Sequence, residues 1–180
     1  MRFAFDYASP DHRQFAPATL SKGIIVTVGS WLEAFDAKQM AVTGGTQYVR
    51  LGGKEPAVLL LHGFGETGDM WVPLAEALVK DHAVIVPDLR RMGLSSHPEG
   101  GYEKVAQARD LATILDQLGF QEIALVTHDI GNMVGYAFAA LFPLRVSRWV
   151  VMDVPLPGIG HWDRQLKHPN AALHARPLEI

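Results

Sequence analysis

The chain contains no cysteine in 180 residues, and this absence excludes several kinds of chemistry at once. Disulfide frameworks, thiol nucleophiles and thiolate metal sites all need the missing side chain. No apolar stretch approaches the ~20 residues that a membrane-spanning helix needs. Charge of one sign is not concentrated either, because 16 basic residues face 19 acidic ones without long runs. We therefore expect neither a nucleic-acid partner nor a membrane partner.

The N-terminal part of the sequence does not resemble an export signal. The apolar segment at residues 23–32 is preceded by Asp6 and Asp11, which do not match a basic, then apolar, then small-residue pattern. We expect a cytoplasmic protein. The 48% hydrophobic and 19% charged residues are typical of an ordinary globular domain.

Three regions follow from the patterning along the chain. Residues 1–42 have mixed polarity and no sustained period, which predicts a poorly defined extension with one short strand at 24–28. Residues 43–160 carry a regular strand and helix pattern. Residues 161–180 are interpreted as the start of a cap region or as an aberrant tail.

The region 43–160 alternates apolar strands with helical stretches. The pattern predicts an edge strand at 46–50, buried strands at 57–61, 83–86, 123–127 and 146–152, and helices at 71–80, 102–118 and 130–142. Runs that are apolar on both faces are typical of parallel strands. The expected fold class is α/β, a mostly parallel sheet with helices on both faces. Reacting groups in such sheets gather where the strands end.

One of these strand ends spells a dinucleotide-binding fingerprint. Gly63, Gly65 and Gly68 form a G-x-G-x-x-G after a strand, and Asp88 lies 20 residues beyond Gly68. The glycines could let the backbone approach a pyrophosphate, and the carboxylate could accept from a ribose hydroxyl.

A second strand end indicates a nucleophile elbow. Asp129 lies between a strand and a helix, with the small residues Thr127 and Gly131 two positions to either side. Gly131, Gly135 and Ala139 then recur every four residues, which gives the helix a face that can lie close to the sheet.

Four motifs taken together resemble the α/β-hydrolase superfamily, in its epoxide-hydrolase-like branch with an aspartate nucleophile. They are His-Gly-Phe-Gly at 62–65, Asp-Leu-Arg-Arg-Met-Gly-Leu-Ser at 88–95, Thr-His-Asp-Ile-Gly at 127–131 and Val-Val-Met-Asp-Val-Pro-Leu-Pro-Gly at 150–158. The resemblance implies the N-terminal part of that fold, ended by a C-terminal truncation. It outweighs the dinucleotide interpretation, which stays an alternative.

The resemblance also implies a mechanism and assigns its residues. Asp129 would attack an electrophilic carbon of a small-molecule substrate and form an alkyl-enzyme ester, which water then hydrolyses. Backbone N–H groups of Phe64 and Ile130 would form the oxyanion hole. No cofactor and no metal are expected. Asp129 could instead be a helix-capping residue.

The neighbouring polar residues are expected to be structural. His62 and His128 would fix loops through hydrogen bonds, and Asp88 and Arg90 would form a pair that stabilises their loop. Arg91 replaces the glycine that the family usually has there, which affects how tightly this turn can close.

The substrate is inferred from the residue after the nucleophile. Ile130 supplies neither the Trp of haloalkane dehalogenases nor the Arg of haloacid-type relatives, which favours an uncharged epoxide over these rivals. Gly65 stands where many epoxide hydrolases have Pro.

The rest of a catalytic triad is not identifiable. Asp153 is a candidate acid, and His161, His168 and His174 lie on an irregular tail, so no catalytic His is assigned. We expect the chain to be inactive in full turnover. A non-catalytic remnant that self-associates through an exposed sheet edge is the alternative from another class.

The two fingerprints make opposite predictions about dinucleotides. If the loop at 63–68 serves a hydrolase elbow, calorimetric titration with NAD or NADP will show no saturable binding. Stoichiometric binding at micromolar concentration would contradict the hydrolase interpretation.

Overall fold

The computed structural model describes Trp31 and residues 34–153. Within these residues six strands and three α-helices follow one another, and two short 3₁₀ turns, Gly68–Trp71 and Pro143–Arg145, connect some of them. The strands are β1 (Phe35–Val42), β2 (Gly45–Gly52), β3 (Ala57–Leu61), β4 (Ala83–Pro87), β5 (Ile123–His128) and β6 (Val146–Met152). The helices are α1 (Val72–Leu78), α2 (Lys104–Leu118) and α3 (Ile130–Leu141).

The strands form one six-stranded sheet in the order β1-β2-β4-β3-β5-β6. The four strands β3 to β6 run parallel, whereas β1 and β2 pair antiparallel with their neighbours. The predicted mostly parallel α/β sheet is therefore confirmed. No helix among the described residues is long and apolar enough to cross a membrane.

Helices cover both faces of the sheet, as the apolar runs predict. Every residue of β3 and β4 is buried. Leu59 and Leu61 point into a core that also contains side chains of α2 and α3. Val58 and Leu60 point the other way, into a core completed by Trp71 and Ala75. Both cores therefore share the same strands.

The first hairpin corrects the sequence analysis in one respect. The strand expected at 46–50 as an edge is β2, which lies between β1 and β4. The outer position belongs to β1, within the segment assigned to the extension. Met40 is the one buried residue of β1, so the apolar alternation that signals a strand is missing there. The strand expected at 24–28 lies outside the described residues.

Glycine ends the long helix α2 as predicted. Gly119 has φ +83° and its N–H bonds to the carbonyl oxygens of Asp116 and Leu115. This left-handed cap satisfies carbonyl groups at the helix end.

Arg91, which stands where the family that the sequence resembles usually has glycine, also adopts a left-handed backbone, with φ +65°. Its N–H still bonds to the carbonyl of Ser96, and its guanidinium lies 5.9 Å from the ring centre of Tyr102. The turn therefore forms with arginine at this position. Its left-handed backbone conformation costs about 1 kcal/mol or more for a residue with a Cβ.

We expect Arg91→Gly to be more stable than Arg91→Ala by about 1 kcal/mol, because both variants lose the guanidinium and only alanine keeps the strained Cβ. Urea denaturation of the two variants measures the difference directly. Equal midpoints would mean that this backbone conformation carries no strain.

Candidate active site

Asp129 occupies a sharp turn between β5 and α3. Its backbone has φ +46° and ψ −117°, a conformation that residues with a Cβ rarely adopt. Such strain persists where the surroundings enforce it and is common at functional sites. The turn that the small residues around Asp129 predict is therefore present.

The turn is enforced by the close packing of α3 on the sheet. A Cβ on Gly131 would lie 2.6 Å from the carbonyl oxygen of Leu61 and 2.7 Å from that of His62. One turn later, a Cβ on Gly135 would lie 2.9 Å from Cγ2 of Thr127. Larger residues would push the helix away from the strands, so the glycines allow α3 to begin where it does.

The side chain of Asn132 stabilises this turn through hydrogen bonds. Its buried side chain accepts a hydrogen bond from Thr127 Oγ1 at 2.5 Å and donates to the carbonyl oxygens of Asp129 and Met152. The N–H of Asp129 also donates to the Met152 carbonyl, at 3.2 Å. The ends of β5 and β6 are thereby tied to the first turn of α3.

The carboxylate of Asp129 does not cap its own helix. Its Oδ2 instead accepts a hydrogen bond of 2.9 Å from the backbone N–H of Phe64, in the loop after β3. The geometry argues against the capping interpretation, because a capping carboxylate accepts from the N–H groups of its own first turn. Phe64 itself exposes its ring, with 63% of its surface accessible.

His62 bridges two loops at the strand ends, as expected for a structural histidine. Its Nε2 accepts a hydrogen bond from the N–H of Leu89 at 2.8 Å, so the ring proton is on Nδ1 and donates to the Gly63 carbonyl at 2.8 Å. The side chain is fully buried. Burial lowers the pKa of His62.

His128 lies between two carboxylates next to the elbow. Its Nδ1 is 3.1 Å from Glu66 Oε2, and its Nε2 is 3.8 Å from Asp153 Oδ2. Glu66 Oε2 also accepts a hydrogen bond from the N–H of Gly63 at 2.7 Å. Glu66 therefore connects the loop after β3 to the residue before Asp129, a role that no local sequence pattern indicated.

Asp153 lies at the end of β6 with its side chain 92% exposed. Its backbone is left-handed, with φ +46°. Its closest basic group among the described residues is His128. The tail histidines His161, His168 and His174 lie outside the described residues.

The expected pair between Asp88 and Arg90 is wrong, because the two side chains bind different partners. Asp88 accepts from Arg50 at 2.8 Å, and Arg90 binds Asp110 at 2.6 Å. All four side chains are buried. Both residues are still structural. Their partners are distant in the sequence, so the closeness of Asp88 and Arg90 along the chain did not indicate them.

The dinucleotide interpretation fails on the same contacts. Asp88 is completely buried, and its oxygens accept from the backbone N–H groups of Gly68 and Leu94 as well as from Arg50. The N–H of Gly63 is bound to Glu66. The groups that would face a ribose and a pyrophosphate are thus occupied by the protein. No three His, Asp or Glu side chains among the described residues are placed to hold a metal ion.

Comparison with known families agrees with this geometry. The model of the alpha/beta hydrolase fold family matches residues 56–170. The chain belongs to this family. The match covers the strands and turns that build the elbow.

Relatives in this hydrolase family confirm the epoxide-hydrolase-like character. A fluoroacetate dehalogenase from a Burkholderia species is 35% identical over 127 residues, which are 68% of this chain and 42% of that protein. A soluble epoxide hydrolase from a Corynebacterium species (strain C12) is 34% identical over 112 residues, 62% of this chain and 38% of that protein. The chain spans less than half the length of these relatives.

Solved structures give the same result. An epoxide hydrolase from Vigna radiata superimposes with a TM-score of 0.67 at 29% identity, covering 75% of this chain and 44% of that chain. The sheet described above is thus the corresponding part of the hydrolase fold.

The lowered pKa of His62 makes stability depend on pH. The unfolded chain, with an ordinary histidine pKa of about 6.5, binds a proton before the folded chain does. The contribution of His62 to the free energy of unfolding is therefore fully present above about pH 6.5. This contribution falls as the pH drops below that value, by at most about 1.4 kcal/mol per pH unit.

We expect His62→Gln to remove this part of the acid sensitivity, and His97→Gln, at an exposed position, to retain it. Urea unfolding at about pH 7.5 and about pH 5.5 measures the effect, because the wild-type loss on acidification includes the titration of His62. The same loss in all three proteins would rule out His62 as a source.

Proposed function

We propose that Asp129 is the nucleophile of a hydrolase that opens an epoxide or a related electrophile through an alkyl-enzyme ester. The observation that carries the proposal is the position of the Asp129 carboxylate on a strained turn, accepting from the Phe64 N–H and not from its own helix. A carboxylate held in this way has one oxygen anchored, which leaves the other for attack on carbon.

The same contact suits the second half of the reaction. When water attacks the ester, negative charge develops on an oxygen of Asp129 itself, because the attacked carbonyl carbon is its Cγ. The Phe64 N–H is already placed on Oδ2, where it would stabilise that charge. The N–H of Ile130, at the first position of α3, is the proposed second donor.

Activation of the water needs a base that we do not assign. His62 and His128 are engaged with Leu89, Gly63 and Glu66, and neither is hydrogen-bonded to Asp129. Asp153 is kept as the proposed acid. We therefore propose that this chain forms the ester and does not turn it over.

A dehalogenase is the second candidate function, supported by the relative that is a fluoroacetate dehalogenase. In that reaction Asp129 would displace a halide by the same attack on carbon. The apolar side chain of Ile130 favours an uncharged substrate, which is the reason for placing the epoxide first. Self-association through β6, where Val150 and Met152 are exposed, and the cytoplasmic location stay predictions.

We expect a reactive epoxide such as styrene oxide to add one substrate mass to the protein, on the peptide that carries Asp129. Asp129→Asn should abolish the adduct, because an amide is a far weaker nucleophile than a carboxylate. Intact-mass and peptide-mass spectrometry measure both, and Asp81→Asn, at an exposed position, is the matched control.

Two results would contradict the proposal. An adduct on another residue would remove Asp129 from the nucleophile role. No adduct on a wild-type sample whose folding is demonstrated by circular dichroism would favour the non-catalytic remnant.

A further inference from the structure

Glu66 lies two residues after Phe64 and closes the loop that follows β3 in two ways. Its backbone N–H donates to the carbonyl oxygen of Gly63 at 3.3 Å. Its carboxylate Oε2 accepts from the N–H of Gly63 at 2.7 Å. The backbone and the side chain of one residue therefore both bind Gly63.

These contacts determine the direction of the Phe64 N–H. The Gly63 carbonyl and the Phe64 N–H belong to one planar peptide group. The oxygen of this group accepts from the His62 ring at 2.8 Å and from the N–H of Glu66, and its N–H donates to Asp129 Oδ2 at 2.9 Å. Because the group is rigid, binding its oxygen and the preceding N–H directs the Phe64 N–H toward Asp129.

Hydrogen bonds are important in this loop because side-chain packing gives it limited support. Phe64 exposes 63% of its surface, and a Cβ on Gly65 would meet no described atom within 4 Å. Gly65 also has φ +73°, a left-handed conformation that glycine adopts without strain. The orientation of the loop therefore depends on the groups that bind Gly63.

The Glu66 carboxylate also reaches the other half of the candidate site. Its Oε2 lies 3.1 Å from Nδ1 of His128, the residue directly before Asp129. A Cβ on Gly63 would lie 2.5 Å from Glu66 Oε2 and 2.9 Å from His128 Nδ1. The same point lies 3.0 Å from Asp129 Cβ. One carboxylate oxygen thus joins the loop that supplies the N–H donor to the turn that supplies the nucleophile.

We propose that Glu66 is a positioning residue that holds the Phe64 N–H on Oδ2 of Asp129. It acts through its contacts with Gly63 and His128 and touches no reacting atom. This rests on the proposed function, since it assigns a role within the Asp129 reaction. The effect of Glu66 is largest in the step that places negative charge on Oδ2.

That step is the cleavage of the ester. Oδ1 of Asp129 has bonded to the substrate carbon, so Oδ2 is the carbonyl oxygen of the ester. A nucleophile that bonds to Cγ moves the carbonyl electron pair onto Oδ2, where the Phe64 N–H stabilises it. The pair then returns, the Cγ–Oδ1 bond breaks, and the alcohol leaves with Oδ1 and a proton from the nucleophile. A misplaced N–H slows this step.

Three substitutions separate the hydrogen bonds of Glu66 from its charge. Glu66→Gln keeps an oxygen that can accept from Gly63 and contact His128, and it removes the charge. Glu66→Asp keeps the charge and shortens the side chain by one methylene group. Glu66→Ala removes both. Glu76→Ala, at an exposed position of α1, is the matched control.

The measured quantity is the rate at which hydroxylamine cleaves the ester that styrene oxide forms on Asp129. Hydroxylamine bonds to Cγ through its nitrogen and gives a proton to the departing alcohol, so the assay does not need the unassigned base. Mass spectrometry follows the loss of the adduct and the gain of a hydroxamate on the Asp129 peptide. Each protein is measured folded, as shown by circular dichroism, and again unfolded in urea.

We expect Glu66→Ala to slow cleavage in the folded protein by about 10-fold or more, because the donor is no longer held in place. Glu66→Asp should be slow as well, since its oxygen no longer reaches both partners. Glu66→Gln and the Glu76→Ala control should stay within about 3-fold of the wild-type rate, because the neutral hydrogen bonds keep the loop in place. In urea all the proteins should be cleaved at one rate. If the alanine variant does not fold, Glu66→Asp takes its place in the comparison.

Two results would overturn the role of Glu66 and leave Asp129 as the nucleophile. One is the wild-type rate in folded Glu66→Ala or Glu66→Asp. The other is a Glu66→Gln rate as low as that of Glu66→Ala, which would assign the effect to charge and not to positioning. An adduct that survives Asp129→Asn, or none in the folded wild-type protein, would overturn the proposed function together with this one.

Discussion

The contact on which the candidate site depends is the approach of α3 to the end of β3. Only glycine fits at position 131, where a side chain would meet the carbonyl oxygens of Leu61 and His62. This packing fixes where the helix starts and therefore forces Asp129 into its left-handed turn. The orientation of the carboxylate toward the Phe64 N–H follows from that turn. The geometry of the candidate site is thus a consequence of how closely a helix can lie on a sheet.

The charged residues around Asp129 differ in how completely they are buried and paired. Asp88 and Arg90 are buried and fully engaged, so they hold loops in place. Breaking one partner of such a pair would leave an uncompensated buried charge. Asp129 is only partly buried, and its carboxylate belongs to none of the ion pairs among the described residues. Buried ion pairs that hold the loops around a partly exposed carboxylate are the arrangement that a preorganised site requires.

Much of the fold was predictable from the sequence, because the parallel strands are continuous apolar runs with one physical interpretation. The elbow was predictable for a similar reason, since the small residues around Asp129 leave few other conformations. β1 was missed because its residues are mostly exposed and carry no apolar period. The partners of Asp88, and the contact of Glu66 with His128, were missed because they join residues distant in sequence. Only folding brings such pairs together.

The two cores on either side of the sheet have a consequence for how the molecule comes apart. Leu59 and Leu61 belong to one core while Val58 and Leu60 belong to the other, so β3 carries both at alternate residues. Neither layer of helices can detach without exposing strands that the other layer needs. The sheet and both helical layers are therefore one cooperative unit. A substitution that destabilises the core on the side away from Asp129 also destabilises the elbow, because both cores share β3.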